Sequence, residues 1–310
     1  MYTFIVNPHS RSGLGQEIWT QIHALLTKQD IKFEVIFTEY QRHATKCVHQ
    51  LTSDGMPHTI IVLGGDGTIN EVLNGIVDFS LISLGYIPTG SSNDFARGLQ
   101  LPVNPAKALD NILNRGATSL MDVGILHYRG KGRCFGVSTG IGFDAAICHQ
   151  AVVSKLKVFL NKLRLGKLTY GSIAMNRLFL DPLANMTITI DEAVPMTFTD
   201  CYFATVMNLP YEGGGFKFCP DAVSDDGLLD VIVVNHMSKK KVLALFPTAI
   251  NGHHTKYNGV HIFRGRNIRI QSSQALAVHT DGEPVFLQKD ISVSIAPKQI
   301  HMITSHKSKE

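Results

Sequence analysis

Short apolar runs and helix-like apolar stripes alternate along residues 1–122. The runs have the length of buried strands, and the stripes repeat apolar residues every three or four positions, as one face of a helix requires. Predicted strands cover residues 2–6, 33–38, 59–63 and 84–87, and predicted helices cover 18–26, 44–51, 68–77 and 106–113. Repeated strand–helix units predict a parallel sheet covered by helices on both faces.

The pattern changes from about residue 183, where β-rich runs are separated by turn residues. These runs cover residues 186–190, 202–206, 229–234, 267–270 and 291–295. They predict an antiparallel sandwich or barrel, preceded by a helical segment at about 144–180. We therefore expect an α/β domain over 1–122 and a β-rich domain over 123–310 with this helical insert. This division leaves open whether the extreme C-terminus packs with the first domain.

The composition describes an ordered globular protein of 310 residues, with 44% hydrophobic and 17% charged residues. Its five cysteines form no CxxC pair, which favours reduced thiols over disulfides or zinc. The N-terminal residues lack the pattern of a signal peptide, and no apolar run reaches 18 residues. These features predict a cytoplasmic protein. The net charge of +4 is too small to indicate a class of binding partner, and no sequence feature indicates nucleic-acid binding.

A glycine-rich turn at residues 64–68, with the sequence GGDGT, follows the third predicted strand and opens a helix. Glycines let the backbone approach a phosphate, and the first amides of a helix attract an anion. Asp66 has the wrong charge for a phosphate unless a cation lies between them, and Mg²⁺ commonly bridges carboxylates and substrate phosphates. The alternative is an ordinary strand–helix turn, but five consecutive turn-type residues favour a Mg²⁺–nucleotide site.

Two further polar loops follow predicted parallel strands, at residues 7–15 and 88–97. The first offers Arg11 to a phosphate, and the second places hydroxyls and a carboxylate at a helix start, where helix capping is the alternative. Ligands of such sheets bind at the carboxyl ends of the strands, so these loops and the GGDGT turn should share one site. A distant DGE turn at 281–283 reads by itself as a hairpin.

The order and spacing of five motifs resemble the diacylglycerol/sphingosine lipid-kinase family, and within it the soluble bacterial diacylglycerol kinases. The motifs are NPHSRSG (7–13), GGDGTINEV (64–72), PTGSSNDFAR (88–97), CPDAVSDDGLLDV (219–231) and DGE (281–283). The resemblance covers essentially the whole chain. GGDGT alone would not be specific, because NAD kinases and phosphofructokinases share it in outline.

The resemblance implies a nucleotide-binding α/β domain of the phosphofructokinase and NAD-kinase type. It also implies a mainly antiparallel β-sandwich domain for the lipid, with the active site in the cleft between the two domains. Transfer of the motifs gives an ATP site lined by Asn7, Pro8, His9, Ser10, Arg11, Thr38, Gly65, Asp66, Gly67, Thr68, Ile69, Asn70, Glu71 and Ser91.

The same transfer makes Glu283 the general base that takes the proton of a lipid hydroxyl. Asp66, Asp94 and Asp122 would organise catalytic Mg²⁺ and water. These residue types suit phosphoryl transfer, which depends on positioning and charge neutralisation. A carboxylate base contributes about 10²–10⁴-fold when the nucleophile is an alcohol.

A second, structural Mg²⁺ is implied within residues 223–228. The Asp226 carboxylate and the backbone carbonyls of Val223 and Leu228 would be its protein ligands. Without the resemblance, this segment reads only as an acidic turn.

The reaction expected from the resemblance is transfer of the γ-phosphoryl group of ATP to a lipid hydroxyl. Diacylglycerol, giving phosphatidic acid, is the first choice of substrate, and a sphingoid base or another lipid alcohol is the alternative. An NAD-kinase-like enzyme acting on a soluble metabolite is a second class, against which the NPHSRSG and PTGSSNDFAR motifs argue. A non-catalytic relative is a third class, and the intact Asp66, Asp94 and Glu283 argue against it.

Residues 145–180 contain six basic residues and no acidic one. Their basic positions are interleaved with leucines, valine and phenylalanine, a composition that suits an interfacial segment on anionic lipid. The equally weighted alternative is a helix pair packed on the core with its basic side chains in water. The first interpretation places the protein peripherally on the inner face of the membrane, through residues 155–167. The sequence leaves the oligomeric state open, a homodimer included.

Replacement of Lys155, Lys157 and Lys162 by glutamine tests the interfacial interpretation. Each basic residue near an anionic surface is worth about 1 kcal/mol, so the triple variant should bind anionic liposomes more weakly. High salt should weaken the binding of the wild type in the same co-sedimentation assay. Equal binding of variant and wild type would favour the packed helix pair.

Overall fold

The computed structural model describes residues 1–153 and 176–305, and the chain forms two compact units. The first contains Met1–Val123 together with the chain from Ala296 onward, and the second is Gly124–Ile295. The predicted boundary at residue 122 assigned residues 123–310 to the second domain, with the allowance that the extreme C-terminus belongs to the first. The structure places residues 296–305 in the first unit.

A six-stranded sheet, in the order β2-β1-β3-β4-β15-β5, organises the first unit. Its strands, numbered along the whole chain, are β1 (Tyr2–Val6), β2 (Phe33–Phe37), β3 (His58–Gly64), β4 (Ile82–Pro88), β5 (Gly116–Met121) and β15 (Ile300–Ser305). Neighbouring strands are parallel from β2 to β15, and β5 runs antiparallel to β15. The predicted parallel sheet is confirmed, with one antiparallel strand added.

Helices follow the parallel strands. They are α1 (Ser10–Lys28), α2 (His43–Thr52), α3 (Asp66–Leu73), α4 (Asp94–Gly98) and α5 (Pro105–Asp110), with short 3₁₀ and π turns at Phe79–Leu81 and Asn111–Arg115. The apolar stripe of α1 packs on the sheet, where Ile22 and Trp19 join Phe4 and Ile61 in a buried cluster. Phe4 and Trp19 have ring centroids 5.5 Å apart.

The helix that the sequence predicted over 68–77 lies two residues earlier and is shorter. It begins at Asp66, because the extended backbone of Gly65 (φ −99°, ψ −175°) allows the turn directly after β3. It ends at Leu73, before Asn74 and Gly75. Asp66, Gly67 and Thr68 of the GGDGT turn thus form the start of α3, and Gly64 ends β3.

The described residues of the second unit form nine strands, and each of their pairings is antiparallel. They are β6 (Gly124–Tyr128), β7 (Lys131–Phe135), β8 (Ser138–Gly142), β9 (Ala184–Ile190), β10 (Met196–Met207), β11 (Leu229–Asn235), β12 (Val260–Gly265), β13 (Ile268–Thr280) and β14 (Glu283–Ile295). The helices are α6 (Phe143–Val153) and α7 (Lys239–Ala249), with a 3₁₀ turn at His253–Lys256.

Two long strands, β10 and β13, change partner along their length. Each pairs with β9 in its first part and with β8 in its last part. The register of β10 against β9 is irregular between Phe198 and Cys201. A strand that bends at such points can contribute to two packed layers. The predicted antiparallel sandwich is confirmed, with β10 and β13 longer than the sequence indicated.

The helical insert expected at 144–180 is represented by α6 and by helical residues 176–180. The basic segment 155–167 lies outside the described residues. No helix in the described part of the chain has both the length and the apolar character needed to span a bilayer.

Candidate active site

Three polar loops follow β1, β3 and β4 at one edge of the first sheet. We call them loop 1 (residues 7–15), loop 2 (64–68) and loop 3 (88–97). Because β3 lies between β1 and β4 and is parallel to both, the three loops leave the sheet side by side. This is the edge at which ligands of such sheets bind.

Side-chain hydrogen bonds join loop 1 to the other two loops. The side-chain amide of Asn7 donates to the Thr68 hydroxyl at 3.1 Å. The hydroxyls of Ser10 and Thr89 are 2.7 Å apart and are buried. The first and third polar motifs are therefore part of one hydrogen-bonded assembly with the GGDGT turn.

Loops 2 and 3 touch through their backbones at two glycines. A Cβ on Gly90 would lie 2.8 Å from the Cα of Gly65, and a Cβ on Gly65 would lie 3.2 Å from the Cα of Gly90. Any side chain at Gly90 would force the loops apart. The glycines of GGDGT and PTGSS thus permit close contact between the loops. From the sequence alone, we expected these glycines only to let the backbone approach a phosphate.

The carboxylate of Asp66 bridges loops 2 and 3. It accepts hydrogen bonds from the backbone amides of Asp94 and Phe95, each at 3.2 Å. These amides open α4, so the negative charge lies at a helix N-terminus, where it is stabilised.

Asp94 is buried and forms an ion pair with Arg97, one turn further along α4. The guanidinium therefore neutralises a carboxylate of the site. Beneath the loops, the buried phenol of Tyr86 donates to the Gly64 carbonyl at 3.1 Å. Burial, with Asp66 and Asp94 nearby, raises the pKa of Tyr86 well above its usual value, so the phenol stays a neutral donor.

Other residues expected to line the ATP site have varied surroundings. Arg11 and Ser91 are exposed. His9 is also exposed, and its amide donates to the Asn7 side chain at 3.1 Å, beside the half-buried Pro8. Thr38 is buried directly after β2.

Within α3, the side chains of Ile69 and Asn70 are buried at about 1% exposure, in the turn that begins with Asp66 and Gly67. Glu71 has a structural task that the sequence did not reveal. Its carboxylate accepts from the amides of Arg42, at 2.7 Å, and Ala44, at 3.3 Å, where α2 begins.

Asp122 lies directly after β5 and is 2% exposed. Its carboxylate accepts from the side-chain amide of Gln299 at 3.0 Å. Gln299 immediately precedes β15, so this bond joins the end of β5 to the start of β15. β15 begins beside the start of β4, so Asp122 lies at the edge of the sheet opposite loops 1, 2 and 3, and the structure does not bring it to Asp66 and Asp94.

The DGE motif is a tight hairpin between β13 and β14 of the second unit. Asp281 and Gly282 have φ values of +49° and +78°, the pattern of a type I′ turn. The Asp281 carboxylate accepts from three consecutive amides, those of Gly136, Val137 and Ser138, at 2.8–3.0 Å. Asp281 thus fixes the turn to the segment before β8. The motif's last residue, Glu283, is the first residue of β14.

The segment expected to hold a structural Mg²⁺ is already contacted by a basic side chain of β12. Asp226 accepts from the Leu228 amide at 3.0 Å, and its other oxygen is 3.2 Å from Arg264. Arg264 also pairs with the buried Asp230 at 3.1 Å. The donors are oxygens, as Mg²⁺ requires, and Val223 is exposed in the same segment. A cation bound here would share Asp226 with a guanidinium.

Three buried side chains of the second unit meet at a place that the sequence did not indicate. In the described part of the chain, Asp144, Glu212 and His279 are the set of potential metal-ligand side chains whose atoms lie within 4.8 Å of one another. His279 Nε2 is 2.9 Å from Glu212 and 3.3 Å from Asp144. More than 60 residues separate each from the next, so no local motif could have predicted the cluster.

Two family models together cover nearly all of this chain. The diacylglycerol kinase catalytic domain matches residues 1–126, and the YegS C-terminal NAD kinase beta sandwich-like domain matches residues 138–304. The YtlR protein of Bacillus subtilis, whose name contains the term lipid kinase, is 31% identical over 90% of this chain and 92% of its own length. The chain belongs to this lipid-kinase family.

Further similarities agree with membership of the lipid-kinase family. A diacylglycerol kinase of Mycobacterium tuberculosis is 31% identical over 72% of this chain and 70% of its own length. The crystal structure of a diacylglycerol kinase from Bacillus anthracis has a TM-score of 0.73 and 26% identity, covering 98% of this chain and 96% of that one. The lipid kinase thus transfers a phosphoryl group from ATP to an alcohol.

An NAD kinase from Archaeoglobus fulgidus, in complex with ATP, shares the fold. Its TM-score is 0.53 at 13% identity, with 99% of this chain and 95% of that chain covered. The likeness to NAD kinases expected from the sequence is confirmed at the level of the fold.

Substitutions at Asp66 should separate its structural from its chemical contribution. Asp66→Ala leaves two amides at the start of α4 without their acceptor, so we expect a loss of stability of about 1–3 kcal/mol per unsatisfied buried group. Asp66→Asn keeps one acceptor oxygen and should unfold nearer the wild type. Both should reduce phosphoryl transfer by at least about 10²-fold, because the charge is lost.

Thermal unfolding and ATP turnover of the two variants, beside Asp30→Asn at an exposed position, give the comparison. Near-normal turnover of Asp66→Asn would contradict a role for this carboxylate in the reaction.

Proposed function

We propose that the lipid kinase phosphorylates diacylglycerol, giving phosphatidic acid. The observation that carries the proposal is the joined set of loops 1, 2 and 3 in a chain that also carries the DGE turn. The names of the relatives from Mycobacterium tuberculosis and Bacillus anthracis support this choice of lipid.

The first unit is proposed to bind ATP at the carboxyl ends of β1, β3 and β4. The glycines let phosphate oxygens approach the backbone, and the amides that open α3 favour an anion. Asp66 and Asp94 would hold Mg²⁺ and its waters. Asp122, which the resemblance grouped with them, lies at the opposite edge of the sheet and would not share that ion. When bound with ATP, Mg²⁺ neutralises charge on the transferred phosphoryl group. With Arg97 paired to Asp94, Arg11 is the remaining arginine or lysine in these loops.

Glu283 is proposed to accept the proton of the lipid hydroxyl. An alcohol is a weak nucleophile at neutral pH, and a positioned carboxylate removes its proton as the new bond to phosphorus forms. The turn before Glu283 is fixed by the three amide bonds of Asp281. Asp281 therefore positions the turn, and its carboxylate is committed to that task.

The surface beside Glu283 supports a lipid over a soluble acceptor. Phe286 and Leu287 follow it on β14 and are 78% and 52% exposed. Two exposed apolar side chains this close to the proposed base suit contact with an acyl chain. A sphingoid base or another lipid alcohol would meet the same surface and is the alternative.

A panel of acceptors tests the proposed substrate. With labelled ATP and mixed micelles, diacylglycerol should be phosphorylated with a higher kcat/KM than sphingosine or other lipid alcohols. NAD in free solution should be a poor acceptor. A clear preference for sphingosine would replace diacylglycerol, and a preference for NAD would overturn the lipid assignment.

Glu283→Gln should lower kcat strongly and leave the KM for ATP nearly unchanged. The amide keeps the size of the side chain but cannot accept the proton, so about 10²-fold or more of the rate should be lost. Steady-state kinetics beside Glu192→Gln, an exposed position of the same unit, provide the control. If kcat is retained while ATP affinity collapses, Glu283 belongs to nucleotide binding instead.

A structural Mg²⁺ at Asp226 is a further part of the proposal. An ion that binds only the folded protein stabilises it, by about 2.7 kcal/mol at a hundredfold excess over Kd. Mg²⁺ should therefore raise the Tm of the wild type and of Asp225→Asn, but not that of Asp226→Asn. An equal rise for Asp226→Asn would mean that Arg264 alone neutralises this carboxylate.

A further inference from the structure

The buried His279 contacts the DGE turn directly. It lies two positions before Asp281 on β13 and is fully buried. Its Nδ1 accepts a hydrogen bond from the backbone amide of Gly282 at 3.1 Å. Its other ring nitrogen faces Glu212 and Asp144. One imidazole thus joins the turn that carries Glu283 to a pair of buried carboxylates.

The Gly282 contact fixes the tautomer of His279. A backbone N–H can only donate, so Nδ1 must present its lone pair, and the ring proton must be on Nε2. Nε2 therefore donates to Glu212 at 2.9 Å and more weakly to Asp144 at 3.3 Å. A metal ion at Nε2 would need the lone pair that this proton occupies. The contact to Gly282 thus argues against a metal centre here.

The charges of the cluster depend on the same contact. The carboxylates of Glu212 and Asp144 favour a charged ring, and burial disfavours it. A second ring proton would have to bind Nδ1, where the Gly282 amide already donates. Burial also raises the pKa of Glu212, so its carboxyl is the better place for an added proton. The nearby Cys148 thiol stays neutral, because burial raises its pKa to about 12.

The surrounding strands leave little freedom to the cluster. Gly140 of β8 lies in register between Thr205 of β10 and His279 of β13. A Cβ on Gly140 would lie 2.0 Å from Asp144 and 2.7 Å from His279. Thr205 donates to the Asp144 carboxylate. The imidazole of His279 is therefore held in one position beside Gly140.

Glu212 is also held by its backbone. It exchanges two hydrogen bonds with Phe216, at 2.9 and 3.0 Å, across the three glycines at 213–215. The residue whose carboxylate accepts the Nε2–H hydrogen bond of His279 is thus anchored at the base of a closed loop.

We propose that His279 is a positioning residue of this kinase. Glu212 and Asp144 hold it in the Nε2-protonated form, and its Nδ1 holds Gly282 so that the turn presents Glu283 in one orientation. The inference rests on the proposed role of Glu283, but the contact to Gly282 can be measured without any activity.

Two substitutions of His279 separate its two nitrogens. Asparagine places an oxygen near the position of Nδ1, and glutamine places its amide near that of Nε2. His279→Gln therefore keeps the contact to Glu212 and loses the acceptor for Gly282. His279→Asn keeps that acceptor, and Glu212→Gln is added so that no buried carboxylate is left unpaired. Glu212→Gln alone is the matched control.

The first readout is hydrogen exchange of the Gly282 amide, followed by NMR on glycine-labelled protein. His279→Gln should speed this exchange by about 10-fold or more, because the protecting bond is lost. The double variant should stay within about 3-fold of Glu212→Gln. Unchanged exchange in His279→Gln, or equal acceleration in both, would overturn the proposal. The ¹⁵N shifts of the wild-type ring test it even if the variants fold poorly, since a protonated Nδ1 would contradict it.

The second readout is steady-state kinetics. His279→Gln should lose about 10–100-fold in kcat with little change in the KM for ATP, because a displacement of about 1 Å costs up to that factor. The double variant should retain the kcat of its control, and equal losses in both would make the role merely structural. If Glu283→Gln keeps full kcat while Gly282 exchange responds as expected, the proposed base is wrong and the positioning of the turn stands. Inhibition or stabilisation of the wild type by Zn²⁺ alone would favour a metal centre.

Discussion

The carboxylate of Asp66 is the group on which the arrangement of the first unit's loops depends. Asp66 follows β3 and is the first residue of α3. Its carboxylate accepts hydrogen bonds from the first two amides of α4, the helix that follows β4. Because Gly65 and Gly90 have no side chains, the two loops can come close enough for these bonds. The negative charge of Asp66 thus lies between the N-termini of α3 and α4, which stabilise it.

The carboxylates of the candidate sites are largely neutralised by the chain itself. Asp94 has Arg97, and both Asp226 and Asp230 have Arg264. Asp281 instead accepts three amides. Such pairing lets acidic residues gather in partly buried places without large repulsion. It also means that a bound cation must compete with or share an internal partner, which limits how much stability the ion can add.

The sequence predicted the features that local pattern controls. Strand and helix order, the polar loops after the strands and the antiparallel second unit all follow from periodicity and turn chemistry. Contacts between distant residues were not predictable. Strand register brings together residues that are far apart in the chain. It determines the pairing of Arg264 with Asp226, the hydrogen bonds from three amides to Asp281, and the position of His279. The sequence predicted that Glu71 lines the nucleotide site. Its hydrogen bonds to the amides of Arg42 and Ala44 could not be predicted, because they depend on the packing of α2 beside α3.

The position of β15 has a consequence for biosynthesis. This strand lies between β4 and β5 in the first sheet, yet it follows the whole second unit in the chain. During translation the ribosome produces every strand of the second unit before β15, so the sandwich can fold while the first sheet still lacks one of its inner strands. Until β15 arrives, the edges of β4 and β5 are open to incorrect pairing. A nascent chain stalled before Ile300 should therefore attract chaperones at the α/β unit and leave the sandwich intact.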